Sequence, residues 1–195
     1  MWETVLTIFI ASALINNFVF SRYLGLCIFF GVTKRMETAV GMSFTFTAVM
    51  IISAALNWAI YKYVMLPLHI GYLKIVIFIG VVAAFVQAAD TIMKKVTPAL
   101  YYKLGIYLAL ITTNCIILAV PLLNAEEYAD SLFKSMALAA GSGAGFSLAL
   151  IIMASIREKL ELADVPKSFQ GLPISFVLTG LIALAFLGFS GMITL

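Results

Sequence analysis

Charged residues and the side chains that bind metals or perform acid–base chemistry are scarce in this sequence. Asp, Glu, Lys and Arg make up 11% of the 195 residues, and there are two cysteines and a single histidine. With one histidine no Ser-His-Asp set can be assigned, and the sequence has no glycine-rich nucleotide-binding loop. The basic residues form no stripe that could bind nucleic acid. These absences predict a chain that is not catalytic on its own.

Apolar residues dominate the chain instead. They make up 64% of it, with a mean hydropathy of +1.12, whereas soluble domains contain about 45–50%. Six apolar segments cover residues 4–31, 38–61, 72–93, 100–123, 132–156 and 172–193. Each reaches the roughly 20 residues that a helix needs to cross a bilayer. We therefore predict an all-α polytopic membrane protein with six transmembrane helices in a single membrane domain, residues 1–195.

The distribution of basic residues between the loops predicts an orientation. The loops after segments one, three and five contain eight of the 12 Lys and Arg residues, and the remaining loops contain three. Cytoplasmic loops are enriched in basic residues. We therefore place these three loops in the cytoplasm and both termini outside, with Arg22 inside segment one.

Two clusters of polar side chains interrupt the apolar segments. The first lies in segment one and the second in segment four: Asn16 and Asn17, then Thr112, Thr113 and Asn114. An unsatisfied polar group is costly in hydrocarbon. We therefore expect these side chains to face protein, a cofactor or water rather than lipid.

The two cysteines lie close to these polar clusters. Cys115 directly follows Asn114, near the centre of segment four, and Cys27 lies ten residues after Asn17. In a straight helix those ten residues span about 15 Å, which would carry Cys27 to the membrane edge. The cysteines can therefore share one site only if the first helix breaks near Asn17; otherwise the helix is straight and the cysteines are unrelated.

The two halves of the chain resemble each other weakly. Asn17 and Asn114 end the polar clusters of segments one and four, while Gly41 and Gly145 open similar glycine–hydroxyl patterns in segments two and five. With three helices per half, the second half must enter the membrane from the opposite side. We therefore predict two inverted repeats, about 1–97 and 98–195, with helices one and four broken near the midplane.

Several motifs together resemble one family of membrane proteins. They are Asn16-Asn17-Phe18-Val19, Leu24-Gly25-Leu26-Cys27, Glu37-Thr38-Ala39-Val40-Gly41-Met42, Leu110-Ile111-Thr112-Thr113-Asn114-Cys115, Ile156-Arg157-Glu158 and Ala163-Asp164-Val165-Pro166. Over nearly the whole chain they resemble the family of RnfA, from the ion-translocating ferredoxin:NAD oxidoreductase or Rnf complex, and NqrE, from the sodium-translocating NADH:quinone oxidoreductase. The asparagine pair of segment one and the residues before Asn114 favour the RnfA branch.

This resemblance implies a function and a cofactor. It implies an electron-transfer subunit in the cytoplasmic membrane of a bacterium or archaeon, coupled to Na⁺ or H⁺ translocation, with hydride chemistry left to other subunits. The implied partners are a homologous six-helix subunit of opposite orientation, similar to RnfE, and subunits similar to RnfB, RnfC, RnfD and RnfG. A [2Fe–2S] cluster would lie between the two homologous subunits, with Cys27 and Cys115 as ligands from this chain. Because such a cluster takes four cysteines, this chain could not complete it alone.

Other roles remain open from the residues alone. The polar clusters could satisfy backbone groups freed at the helix breaks. Arg22 could neutralise an anionic cluster or extend toward the cytoplasmic headgroups. In a secondary transporter, the asparagines and threonines would instead bind a substrate or sodium. In a subunit without a cofactor, the cysteines would only pack as small apolar residues. Bound iron distinguishes the electron-transfer interpretation from these last two.

Overall fold

The computed structural model describes residues 2–69, 71–96, 111, 114–163, 166 and 168–189. Throughout these ranges the secondary structure is helical and no strand occurs. The prediction of an all-α chain is therefore confirmed for the part that is described.

The first apolar segment consists of short helices rather than one long helix. The elements are α1 (Trp2–Ile10), a π-helical turn (Ala11–Ile15), α2 (Phe18–Arg22) and α3 (Leu26–Val32). The chain leaves the helix at Asn16 and Asn17, as predicted. It breaks a second time at Tyr23 and Gly25, which both adopt a left-handed conformation with φ of 54° and 76°. The sequence analysis did not predict this second break.

The remaining helices are longer. α4 (Met36–Ile60) continues through a π-helical segment (Tyr61–Met65) into α5 (Leu66–Leu68), and a short 3₁₀ turn (Gly71–Leu73) leads into α6 (Lys74–Val96). After the undescribed residues 97–110 follow α7 (Cys115–Glu127), α8 (Leu132–Glu161) and α9 (Leu172–Leu187).

Among the described helices, three are long and apolar enough to cross a membrane, namely Met36–Leu68, Gly71–Ala88 and Leu132–Glu161. Trp2–Ile15 and Leu172–Leu187 are shorter apolar helices. The start of the fourth predicted segment lies outside the described residues. The described part is therefore consistent with a membrane protein, while the six-helix inverted repeat stays a prediction.

The core of the bundle is formed where α4 and α8 pack along each other. The rings of Phe46 and Phe146 are 4.1 Å apart, and the hydroxyl oxygens of Thr47 and Ser147 lie 3.2 Å apart between the two helices. α8 also packs closely against the first segment, since a Cβ on Gly145 would lie 2.7 Å from the carbonyl oxygen of Ala13. Small residues thus bring three helical elements into backbone contact, as is usual in membrane bundles.

The outer surface of the bundle is also apolar. Phe44 is 81% exposed on α4, Val76 is 66% exposed on α6, and Leu184 is 68% exposed on α9. Such large apolar side chains around several helices would be unfavourable in water but match a lipid environment.

Candidate functional site at two adjoining helix starts

Asn17 starts helix α2 and ties it to α8. Its side-chain Oδ1 accepts a hydrogen bond from the backbone N–H of Val19 at 3.1 Å, while its Nδ2 donates to the carbonyl oxygen of Gly145 at 2.8 Å. The side chain is only 1% exposed. Asn17 therefore satisfies backbone groups on both sides of the break, as expected for non-helical backbone inside a membrane protein.

Asn114 performs the same capping function at the start of α7. Its Oδ1 accepts from the backbone N–H of Ile116 at 2.8 Å, and the residue is 2% exposed. The Nδ2 of Asn114 is buried and has no hydrogen-bond acceptor among the described residues. Asn17 and Asn114 thus share one local structure, although Asn17 alone makes a second bond within the described ranges.

The starts of α3 and α7 adjoin each other at Gly25. A Cβ built on Gly25 would lie 2.8 Å from Cδ1 of Ile116 and 3.2 Å from Oδ1 of Asn114. Gly25 is the residue before α3, and Asn114 is the residue before α7. Only glycine combines this close approach with a φ of +76° at low cost.

Each of the two adjoining helices carries one cysteine in its first turn. Cys27 is the second residue of α3 and Cys115 is the first residue of α7. Both thiols are free and exposed on the surface of the chain. Their exposure argues against a role as core packing residues. No group of three or more His, Cys, Asp or Glu side chains that could hold a metal occurs among the described residues.

Arg157, which was quoted above only as part of a motif, holds the other end of α3. Its Nη1 donates to the carbonyl oxygen of Phe30 at 3.0 Å and to Oγ1 of Thr33 at 2.9 Å. These bonds satisfy acceptors at the carboxyl end of the helix, where a positive charge is also favourable. Nothing in the sequence pattern connects Arg157 to α3, because 124 residues separate it from Thr33.

Arg22 lies at a different place from the two cysteines. With Asn16, it lines a cavity of about 320 Å³ that also includes Glu127 and Tyr128. Glu127 ends α7 and Cys115 starts it. Arg22 is thus on the side of the acidic loop, and the expectation that it extends toward the basic cytoplasmic loops is wrong. Its guanidinium carbon is 5.8 Å from the centre of the Phe18 ring.

The predicted site residues therefore fall into groups. The structure brings together the helix starts that carry Cys27 and Cys115, and it places Asn17 and Asn114 at two helix caps. Asn16 is exposed and lines two cavities. Thr112 and Thr113 lie outside the described residues.

Comparison with known proteins gives a consistent result along the chain. A family model described as "Rnf-Nqr subunit, membrane protein" matches residues 5–193. The chain is 53% identical over 190 residues to a subunit of the proton-translocating ferredoxin:NAD(+) oxidoreductase complex of Clostridium ljungdahlii, covering 97% of this chain and 98% of that one.

Two further relatives carry the corresponding name in their own complexes. The relative from the Na(+)-translocating ferredoxin:NAD(+) oxidoreductase complex of Acetobacterium woodii is 46% identical over 192 residues, covering 97% of this chain and 98% of the relative. The relative from the ion-translocating oxidoreductase complex of Azotobacter vinelandii is also 46% identical, over 193 residues and 99% of both chains.

Proposed function

The chain belongs to the Rnf-Nqr family of membrane subunits, and on that basis we propose that it is an electron-transfer subunit of an ion-translocating ferredoxin:NAD oxidoreductase complex. In this proposal it shares an intramembrane iron–sulfur centre with a homologous subunit. One observation carries the proposal. The only two cysteines of the chain lie in the first turns of two helices whose starts adjoin, and both are exposed on its surface.

The donor set fits half of a [2Fe–2S] site. Such a centre takes four thiolates, and this chain supplies two, at Cys27 and Cys115. Free cysteine is among the most buried residue types in proteins, so two exposed thiols in an apolar protein favour a surface that a partner covers. A homologous, RnfE-like subunit in the opposite orientation would supply the other two thiolates and the cover.

The other residues of the site hold the two thiols in position. Asn114 caps α7, Gly25 allows α3 to start beside it, and Arg157 holds the far end of α3 through the carbonyl of Phe30 and the hydroxyl of Thr33. The positive end of the α7 dipole favours negative charge on the sulfur of Cys115. When bound, a [2Fe–2S] centre supplies one-electron redox chemistry, which no side chain of this protein can provide.

The remaining features of the proposal follow from the relatives. Their names describe subunits of multi-subunit complexes, so we expect partners similar to RnfB, RnfC, RnfD and RnfG. One relative is named for protons and another for sodium, so the names leave both coupling ions open. We expect the protein in the bacterial cytoplasmic membrane, with both termini outside.

The test is iron and acid-labile sulfide in the purified pair of this chain and its homologue, combined with low-temperature EPR. We expect two iron atoms and one reducible two-iron signal per pair. Cys27→Ser and Cys115→Ser should each abolish the signal, because each removes one of the ligands.

A neighbouring substitution provides the control. Ile28→Val shortens a fully buried side chain in α3 beside Cys27, which perturbs the helix without removing a sulfur. It should keep iron and the EPR signal. A folded wild-type pair without iron would refute the proposal and favour transport of a substrate past Asn16.

A further inference from the structure

Three buried oxygen atoms accept no hydrogen bond within the described part of the chain. They are Oδ1 of Asn57, Oδ1 of Asn124 and Oγ of Ser135. These residues are only 1%, 2% and 0% exposed, respectively. They lie near the end of α4, in the last turn of α7 and in the first turns of α8. Oxygens that are buried among helices of a membrane protein and have no partner are costly.

Contacts between the helices place these three residues at the same end of the bundle. Asn124 donates from Nδ2 to the carbonyl oxygen of Ser135 at 3.4 Å. α4 and α8 are antiparallel, with Thr47 beside Ser147 and with a Cβ on Gly143 2.8 Å from Cγ2 of Thr47.

This register can be followed to the end of α4. Continuing the antiparallel pairing from Thr47 brings Asn57 opposite the helical turn that contains Ser135. The next residue, Trp58, donates from Nε1 to the carbonyl oxygen of Ala129 at 3.1 Å, which keeps the end of α4 against the start of α8.

The orientation of both amide groups is set by backbone carbonyls. Nδ2 of Asn57 donates to the carbonyl oxygen of Ser53 at 2.9 Å, and Nδ2 of Asn124 donates to that of Ser135. Rotating either amide by 180° would put two oxygens against each other. The amide nitrogens are therefore directed at carbonyls, and the groups left without partners are all oxygens.

From this arrangement we propose that Asn57, Asn124 and Ser135 contribute neutral oxygen ligands to a site for a monovalent metal cation. Hard cations bind through oxygens, and membrane transporters bind Na⁺ with neutral protein oxygens of this kind. An anion is excluded, because it needs donors. This site differs from the cysteine site and deepens the proposed function, on which it rests only for the role of the bound ion in translocation.

The surroundings indicate a route and an affinity range. Leu123 and Leu138 line the 320 Å³ cavity that also contains Glu127; Leu123 precedes Asn124, and Leu138 is one helical turn beyond Ser135. An ion could therefore enter from this cavity. The carboxyl end of α7 favours a cation, whereas the amino end of α8 opposes it. Because these fields oppose each other, we expect millimolar rather than micromolar affinity.

The test is hydrogen–deuterium exchange of the assembled complex, oxidised and without ferredoxin or NADH. Exchange is followed by mass spectrometry in sodium, potassium or choline chloride at equal ionic strength. A bound metal cation should protect peptides that contain Asn57, Asn124 and Ser135 relative to choline. At ten times the dissociation constant, exchange through openings that release the ion should slow by about tenfold.

Substitutions then assign the effect to these oxygens. Ser135→Ala and Asn124→Leu should abolish the cation-dependent protection. The matched control is Ser142→Ala, on the same helix and 2% exposed, because the Ser142 hydroxyl already donates to the carbonyl of Leu138 at 2.7 Å. It should keep the protection. If Ser135→Ala fails to assemble, the isosteric Asn124→Asp should increase the difference between sodium and choline.

Each outcome decides the proposal. Protection by sodium, potassium or both supports a cation site and defines its selectivity. Equal exchange in all three salts overturns it, because a water molecule that bridges the oxygens would not depend on the salt. Protection that persists in both loss variants also overturns it. Iron content and the EPR signal of the same samples report on the cysteine site separately.

Discussion

Replacing Gly25 by alanine tests whether the starts of α3 and α7 meet as described. Two effects act at this position. A non-glycine residue in a left-handed conformation costs about 1–2 kcal/mol, and the φ of Gly25 is +76°. The new Cβ would also lie 2.8 Å from Cδ1 of Ile116 and 3.2 Å from Oδ1 of Asn114.

The two contacts differ in how easily they can relax. Cδ1 of Ile116 is the end of a flexible side chain, although the residue is fully buried. Oδ1 of Asn114 is held by its 2.8 Å bond to the backbone of Ile116. Overpacking of this kind costs about 1–3 kcal/mol. Together with the backbone term we expect Gly25→Ala to destabilise the fold by about 2–4 kcal/mol and to separate the two cysteine-bearing turns.

The assay is the thermal stability of the homologous pair together with its two-iron EPR signal per protein. Gly25→Ala should lower both. Gly80→Ala is the control, because a Cβ on Gly80 meets nothing within 4 Å and alanine favours the helix by about 0.5–1 kcal/mol. That variant should retain the signal and match or exceed the wild-type stability.

A double mutant separates the backbone effect from the steric effect. Ile116→Val removes Cδ1 and alone costs about 0.5–1.5 kcal/mol. In the Gly25→Ala background it should recover part of the loss, so that the two changes are not additive. If Gly25→Ala leaves both stability and the EPR signal unchanged, the described contact between the two helix starts is wrong.

Three further predictions concern residues that support the site. Gly145→Ala should destabilise the fold by about 1–3 kcal/mol, because the Cβ would lie 2.7 Å from the carbonyl oxygen of Ala13; melting temperature is the measurement. Asn17→Ala removes a cap and the 2.8 Å bond to Gly145 and should cost about 1–3 kcal/mol, whereas Asn17→Asp, which can still cap α2, should cost less. Arg157→Gln weakens the hold on the end of α3 and should shift the EPR line shape or midpoint potential; Thr33→Val, which removes one acceptor, should have a smaller effect, and equal spectra in all three proteins would contradict the role of Arg157.

The sequence by itself determined the class of protein and the residues of the candidate site. Hydropathy is a local property, so runs of apolar residues are sufficient to predict membrane helices. The break at Asn16 and Asn17 was also visible, because polar side chains inside an apolar segment need partners. The motifs led to the family, which the comparisons confirm. The inverted repeat, the orientation and the cluster ligands stay predictions.

The tertiary structure decided which of these residues lie together. Gly25 approaches Asn114 across 89 positions of the chain, and Arg157 reaches back to α3; no periodicity encodes either contact. The second break at Tyr23 escaped prediction because its left-handed conformation occurs at a tyrosine, which gives no local signal. Exposure of both cysteines likewise depends on how the helices pack. Local chemistry thus selects the segments and the reactive residues, but only packing determines which helix ends meet and which side chains they leave for a partner.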